Sequence, residues 1–377
     1  MGPKARKHIA LLALNLKGGG AERVAALVAS GLAERYSMDL LLFHAEGPHK
    51  ALLDPRVRTI DLDRPPSFWA QFRAASPLTA YLREENPELV LAFGHKSNRA
   101  LIAAALQVHY QGGLIVSERN RFTEMYSNPV ARALRRQQNR MLYRYADLCI
   151  CVSKGVEEDL IRQKILSPDR SCCVYNPVVV TGMDDPVPHE WFSGENGPIV
   201  LGAGSLNTRK DFETLVRAFA LLLDVRSDAR LVILGEGRHR ARLECLAEEL
   251  GVSHAVSLPG FFPNLAPFMA RTSLFVSSAR SEGFSNVLAE ALACGLNIVS
   301  TDCPSGPSEI LEEGRWGWLV PVGDVHAMAR SMAEALAHPK PSELLKKRAA
   351  YFSFERGIEG YARAIEGVLA RKSNEHE

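Results

Sequence analysis

Short apolar runs alternate with amphipathic stretches along almost the whole chain. HIALLALNL (8–16) reads as a buried strand, Lys17-Gly18-Gly19-Gly20 as a loop, and AERVAALVASGLAERY (21–36) as a helix, its apolar positions recurring at helical spacing. DLLLF (39–43), ELVLAFG (88–94), GLIVSE (113–118), DLCICVS (147–153) and SCCVY (171–175) are further strand-like runs, separated by helical segments. The alternation pauses over 176–198, which is rich in proline, glycine and acids and reads as a linker. It then restarts. PIVLGAGSL (198–206), ARLVILGEG (229–237), AVSLPGF (255–261), SLFVSSA (273–279) and NIVSTDC (297–303) are predicted strands. DFETLVRAFALLLDV (211–225) and RHRARLECLAEELG (238–251) are predicted helices, and the tail is mostly helical: SELLKKRAAYF (342–352), then IEGYARAIEGVLARK (358–372). Repeated strand–helix order implies parallel sheets covered by helices on both faces. The expected division is 1–178, a linker at 179–197, 198–350, and a helical tail at 351–377.

Size agrees, since 377 residues suit two domains of ordinary size. At 46% hydrophobic and 23% charged, the chain can build cores, so disorder is not expected as its main state. A net charge of only +2 argues against a dedicated nucleic-acid binder. No apolar run approaches the roughly 20 residues of a membrane span, and no cleavage site follows the basic start MGPKARKH, so neither span nor signal peptide is expected. Of the seven cysteines, Cys149, Cys151, Cys172 and Cys173 lie in or beside strand-like runs, and those four form no C-x-x-C pair; reduced core thiols in a cytoplasmic protein are expected.

The chemistry gathers around 278–295. Glu282 sits in a glycine-containing loop after SLFVSSA, and Glu290 sits inside the following helix, with Ser285 as the expected N-cap and Gly295 as its stop. The unit is strand, loop, helix N-terminus, which suits an anion. Two such glutamates alone are common on surface helices. Arg209-Lys210 changes that: two cations near a helix start oppose the helix dipole, which points to an external anion, with a diphosphate as the natural one. A solvated pair is the ordinary alternative. Gly235-Glu236-Gly237 and Pro259-Gly260-Phe261-Phe262 end neighbouring strands and suit a flat base; Thr301 to Pro307 ends another.

In the first half, Gly18-Gly19-Gly20 opens a helix. Arg23 stands where a dinucleotide fingerprint needs glycine, so the loop reads either as a turn or as a substrate contact. His95-Lys96-Ser97-Asn98 and Ser117-Glu118-Arg119-Asn120-Arg121 close two strands, at the edge where ligands of such sheets bind, although a solvated charge cluster fits equally. Arg132, Arg135, Arg136, Arg140 and Arg144 share one predicted helix, with Leu134, Met141, Leu142 and Tyr145 as its expected buried face. A merely solvated face is the usual reading, but five arginines without an acid suit anionic lipid or a phosphorylated acceptor; Phe68, Trp69 and Phe72 are candidates for aromatic insertion beside it, with ordinary core packing the equal alternative.

Taken together, GSLNTRKDFETLVRAFA, LVILGEG, LPGF, SEGFSNVLAEALACGLNIVSTDCPSGPSEIL and WLVPVGD, with KGGGAERV, SERN, YADLCICVS and VYNPV, make the chain resemble the retaining glycosyltransferases of family 4 (group 1) over residues 8 to 335. The resemblance implies an α/β GT-B architecture: two Rossmann-like domains facing each other across a cleft, an acceptor-binding first domain, a donor-binding second one, and a C-terminal helix returning to the first. It implies transfer of a sugar from a nucleoside-diphosphate donor, UDP-sugar favoured and GDP-sugar an alternative, to a lipid-linked glycan or lipopolysaccharide-type acceptor in envelope polysaccharide synthesis. The enzyme would be cytoplasmic, peripheral on the inner membrane face, with no metal and no cofactor. Glu290 would hold the ribose hydroxyls, Glu282 the donor sugar, and Arg209 and Lys210 the diphosphate. Gly283, Phe284, Ser285, Asn286 and Val287 would contact sugar and phosphate; Gly235, Gly260, Phe261 and Phe262 would frame the base; Gly18, Gly19 and Gly20 would close over the phosphate. Ser205 stands where relatives often carry arginine. The histidine that many members have near Glu118-Arg119 is missing, which leaves His95, Glu118, Arg119 and Asn120 as acceptor-side candidates. Two other readings of the scaffold are a nucleotide-sugar epimerase and a non-catalytic partner in glycan assembly.

Overall fold

A computed structural model of the chain describes residues 6–63, 76–126, 128–193 and 197–375. Phe68, Trp69 and Phe72 lie outside the described residues. The chain forms two compact units, residues 1–177 with 354–377, and residues 178–353.

The first unit holds a seven-stranded parallel sheet: β1 His8–Ala13, β2 Ser37–Leu42, β3 Arg58–Asp61, β4 Leu89–Phe93, β5 Gly113–Glu118, β6 Leu148–Cys151 and β7 Ser171–Cys173, in the order β3-β2-β1-β4-β5-β6-β7. Alternate residues feed opposite faces. Ile9, Leu11, Leu40, Leu91 and Ile115 pack under the helix Gly20–Leu32 and the C-terminal helix Phe354–Glu375. Ala10, Leu12, Leu41 and Val90 pack under Pro77–Glu84 and His95–Val108. The C-terminal helix belongs to this unit. Gly31 admits it closely, because a Cβ there would lie 2.5 Å from Ile358 Cγ1.

Asp39, buried in β2, accepts from Arg58 Nε (2.8 Å), Arg58 Nη2 (2.5 Å) and Tyr81 Oη (2.6 Å), and lies 2.8 Å from His8 Nε2. Burial alone would raise its pKa, but the hydrogen bonds from Arg58, Tyr81 and His8 outweigh it and hold the carboxyl below its ordinary 3.8. A depressed folded pKa stabilises above 3.8, and that contribution is lost as pH falls through the folded value. Urea midpoints of the wild type should therefore fall on acidification below 3.8. Asp39→Asn should be less stable at neutral pH by about 1–3 kcal/mol, with a flatter acid limb.

The second unit holds a six-stranded parallel sheet: β8 Ile199–Ala203, β9 Arg230–Leu234, β10 Val256–Gly260, β11 Leu274–Ser277, β12 Asn297–Thr301 and β13 Trp318–Val320, in the order β10-β9-β8-β11-β12-β13. Its core joins Leu231, Ile233, Leu274, Val276 and Val299 to Leu215, Phe219 and Leu243 of the helices Phe212–Leu223 and Arg240–Glu249. Residues Thr181 to Phe192 of the stretch expected as a linker make contacts to this unit. Asn264 Nδ2 donates to the Thr181 carbonyl (3.0 Å), Arg271 Nη1 to that of Met183 (3.1 Å), His189 Nε2 lies 2.9 Å from Ser257 Oγ, and Phe192 meets Phe268 edge-on at 5.3 Å. All seven cysteines are free thiols.

Candidate active site

Strand order reverses at β8, which has β9 on one side and β11 on the other. Loops leaving two such strands diverge at their C-terminal ends and make a binding crevice. The loop after β8 carries Arg209 and Lys210, and the loop after β11 carries Glu282.

Asn207 builds the first loop. Its Oδ1 accepts from the backbone N–H of Arg209 (3.0 Å) and of Lys210 (3.1 Å), an Asx turn that presents both cations. The second loop is stapled to it: Ser278 Oγ donates to the Lys210 carbonyl (2.9 Å), the Arg280 N–H donates to the Arg209 carbonyl (2.8 Å), and Arg280 Nε pairs with Asp211 Oδ2 at 2.9 Å. Asp211 holds a left-handed φ of 48° and also accepts from Thr214 Oγ1 at 2.8 Å.

Glu282 is the buried anion on which these loops converge, 5% exposed. Lys210 Nζ donates to its Oε1, and Arg209 Nη1 to its Oε2 at 3.3 Å. Ser305 Oγ donates to its backbone carbonyl at 2.7 Å. Lys210 is largely buried and Arg209 half-exposed. Two positive groups against one carboxylate leave one surplus positive charge, on the side chain that reaches solvent.

The helix Asn286–Ala293 begins just beyond. Ser285 stands at its N-cap position with extended backbone, as expected, yet its side chain makes no cap bond: Oγ is buried without a partner. Ser285 Oγ therefore does not cap this helix, whose N-terminus is the pole where an anion is favoured. Gly306, with φ 86°, lies against it, since a Cβ there would come within 3.5 Å of the Ser285 nitrogen. Glu290 is buried on the same helix. Phe284 is buried against Phe352 (5.5 Å) and contributes packing. Asn286 and Val287 are half-buried in the first turn.

Gly235 has φ 146°, and a Cβ there would fall 2.0 Å from the Gly204 carbonyl oxygen, so the loops after β8 and β9 touch backbone to backbone. Gly260, φ 102°, closes β10 and gives its carbonyl to Gly235 N–H at 2.8 Å. Of the two aromatics that follow, Phe261 is exposed and Phe262 is packed on Phe268 (4.6 Å). Ser205 is exposed at the end of β8. A cavity of about 240 Å³ beside the Asn207 loop is lined by Asn207, Thr208, Asp211, His239 and Arg280 among others. Neither Glu282 nor Lys210 is in its wall.

In the first unit the structure brings His95 and Glu118 together. Glu118, 3% exposed, accepts from Tyr143 Oη and from Asn98 Nδ2 (3.1 Å), and its Oε1 lies 3.4 Å from His95 Nδ1. His95 Nε2 lies 3.2 Å from Tyr126 Oη. A carboxylate beside Nδ1 makes that nitrogen the donor and leaves Nε2 to accept. Burial pushes the Tyr143 hydroxyl pKa well up. Asn120 is exposed.

Arg119 does something else. It is 8% exposed and donates to Ser117 Oγ (3.3 Å), Tyr361 Oη (3.0 Å) and Asn176 Oδ1 (2.7 Å), with its guanidinium 4.7 Å from the Phe93 ring centre. It ties the end of β5 to the C-terminal helix, rather than offering a free cation. Gly19 N–H donates to the Lys17 carbonyl at 2.5 Å, and the helix starts at Gly20, with Glu22 folded back over Gly19. Burial raises the Glu22 pKa, against its own backbone N–H and the charge of Arg119, which lower it.

The sequence reading missed Asn207, Ser278, Arg280 and Ser305. An asparagine two residues before a cation pair is a turn signal and was legible; the other three act across loops, and no spacing rule reveals them.

Known proteins share this fold. The family "Glycosyl transferases group 1" matches residues 186–351, and "Glycosyltransferase Family 4" matches 18–181. A Campylobacter jejuni N-acetylgalactosamine-N,N'-diacetylbacillosaminyl-diphospho-undecaprenol 4-alpha-N-acetylgalactosaminyltransferase is 34% identical over 55% of this chain, a match spanning only 56% of that relative. The lipopolysaccharide core biosynthesis glycosyltransferase LpsE of Rhizobium meliloti is 28% identical over 85% of this chain and 86% of its own length. Among solved structures, Anabaena Alr3699/HepE in complex with UDP and glucose superposes with a TM-score of 0.77 at 19% identity, covering 96% of this chain and 99% of that one. Sucrose-phosphate synthase from Thermosynechococcus elongatus gives 0.78 at 20% identity, covering 97% and 100%.

Proposed function

The chain belongs to the family 4, group 1 glycosyltransferases and has their GT-B fold, and from that premise we propose that it moves a sugar from a nucleoside-diphosphate donor, a UDP-sugar, to a hydroxyl of a lipid-linked or lipopolysaccharide-type acceptor, with retention at the anomeric carbon. The observation that carries this is Glu282 held by Arg209 and Lys210 at the point where strand order reverses.

A donor diphosphate competes for both cations. Its phosphates take Arg209 and Lys210 and lie at the uncapped start of the helix Asn286–Ala293. Glu282 is then freed to accept from donor-sugar hydroxyls, and Glu290 from those of the ribose. Gly235, Gly260 and exposed Phe261 frame the base. In the chemical step the bond from the anomeric carbon to the diphosphate oxygen breaks, and a bond to the acceptor oxygen forms on the same face. The acceptor proton passes to the departing diphosphate. Negative charge grows on that leaving group, where the two cations and the helix pole stabilise it. With its oxygens engaged by donor-sugar hydroxyls, Glu282 is assigned to positioning rather than to nucleophilic attack.

On the acceptor side, the Glu118–His95 pair presents an oriented imidazole. A lipid-linked acceptor is supported by the relatives: two from Campylobacter jejuni are named for undecaprenol-diphosphate-linked substrates, and others for lipopolysaccharide. UDP is favoured by the UDP-bound Anabaena neighbour. The arginines of the helix Pro129–Tyr143 suit the anionic membrane surface at which such acceptors reside.

Calorimetric titration with UDP, GDP and ADP tests the donor assignment. UDP should bind about tenfold or more tightly than the other two, and Glu290→Ala should weaken UDP by a similar factor. Absence of binding by any of the three would sink the donor site, and equal binding would remove the preference for uridine.

A further inference from the structure

The arginine helix does not sit as its sequence suggests. Leu134, Met141 and Tyr145, expected to be buried, are 60%, 54% and 40% exposed, and Val130 is 78% exposed. The side turned to the protein carries Asn139 and Tyr143, each 1% exposed, and Arg132, whose Nε donates to the Tyr126 carbonyl at 2.9 Å. At about 100° per residue, Val130, Leu134, Met141 and Tyr145 share a strip roughly 60° wide, opposite Asn139 and Tyr143. Arg144 and Arg140 flank that strip on one side and Arg135 on the other, with Arg136 farther round the helix, about 120° from the strip's nearer edge. The amphipathicity is inverted: the outward face is the apolar one.

Charge says what covers it. No acidic residue occurs from Met125 through Ala146. The partners of the flanking arginines are uncharged: Arg135 Nη1 donates to Gln138 Oε1 (3.0 Å), and Arg144 Nη2 to Tyr145 Oη (2.6 Å). Arg136 and Arg140 are exposed. An apolar strip between cationic rails is what a helix lying in the plane of an anionic bilayer presents, the strip among the acyl chains and the guanidinium groups at the phosphates. Among the described residues no helix is long and apolar enough to cross a membrane, so attachment through this element is by lying on the surface.

We propose that the helix Pro129–Tyr143, with Tyr145, is an in-plane anchor that inserts Val130, Leu134 and Met141 into an anionic phospholipid surface. The purpose rests on the reading of a lipid-linked acceptor, which the anchor holds at the plane where the enzyme works. Attachment then has two separable parts, a salt-sensitive one from the arginines and a salt-resistant one from the apolar strip.

The test floats the full chain on vesicles of phosphatidylcholine alone or with about 30% phosphatidylglycerol, an anionic fraction of the kind polybasic segments respond to. Wild type should float with the anionic vesicles and far less with the neutral ones. The double variant Leu134→Asp with Met141→Asp should partition about tenfold or more weakly, while its thermal midpoint and UDP affinity stay those of the wild type. Arg136→Gln with Arg140→Gln and Arg144→Gln should lose a similar factor and most of the salt dependence. Wild-type flotation by the Leu134/Met141 variant, or no flotation by the wild type, overturns the anchor. So does a vesicle-independent dimer in sedimentation that the same variant abolishes, since the strip would then bind a second copy. UDP affinity reports on the transferase reading separately, so either reading can fail alone.

Discussion

Lys210→Ala is expected to lower the rate of sugar transfer by about two to three orders of magnitude while the protein stays folded. Lys210 is the more buried of the two cations on Glu282, and its backbone is fixed twice, by Asn207 Oδ1 at its N–H and by Ser278 Oγ at its carbonyl. A cation so held needs little reorganisation as charge develops on the departing diphosphate, and a group of that kind acts more on the transition state than on the ground state. The loss should therefore appear mainly in kcat, measured as nucleotide release at saturating donor, with a smaller change in UDP affinity by calorimetry. Lys210→Arg should recover part of the rate, because the charge returns in a different shape. Arg209 still meets Glu282 at 3.3 Å in the alanine variant, so the buried carboxylate keeps one partner and the fold survives. Near-normal turnover in a folded Lys210→Ala protein would remove the pair from the mechanism.

Why Lys210 was readable and its supports were not follows from what a sequence carries. Arg209-Lys210, Glu282 and Glu290 sit at fixed offsets from strong apolar runs, so each could be assigned to a strand end or a helix before the contacts of Arg209 and Lys210 with Glu282 were known. The runs themselves were legible because β1, β4, β5, β8 and β11 are buried on both faces and read as continuous apolar stretches. β3 was not. RTID is an edge strand with both ends exposed, and its arginine serves Asp39 rather than a core. β13 is three residues long and offers no period to detect.

The misread helix face has a different cause. Periodicity shows that apolar positions share a face, and burial is then assumed for that face. On the arginine helix the assumption fails: the residues turned to the protein are polar, Asn139, Tyr143 and Arg132, and Tyr143 meets Asn98 far back along the chain while Arg132 reaches the Tyr126 carbonyl across a turn. The described part of the stretch 179–197 shows a related limit. Its prolines and glycines mark irregular backbone, but irregular backbone hydrogen-bonded to Asn264 and Arg271 is part of a domain surface.

Arg119 illustrates the same limit with a larger consequence for stability. A strand-end arginine beside Glu118 looked like an acceptor contact, and the structure encloses it. Replacing it with leucine removes the guanidinium donor from Asn176 Oδ1 and Tyr361 Oη in a site where both residues are buried. Truncating such a group costs about 3–5 kcal/mol, against about 1 kcal/mol for Tyr361→Phe, which removes one bond and keeps the ring on Phe93. The loss should be seen as a lower denaturation midpoint. In hydrogen exchange it should be concentrated in the helix Phe354–Glu375, which Arg119 anchors. Glu22 adds a pH signature. Its pKa is already raised by burial, and Arg119 is one of the influences holding it down, so the variant raises it further. A carboxyl with a raised folded pKa binds more protons folded than unfolded, and stability then falls as pH climbs from the ordinary 4.5 to the folded value. The deficit of Arg119→Leu should accordingly be smaller in mild acid than at neutral pH. An unchanged midpoint, or exchange lost evenly across both units, would show that the guanidinium only fills space.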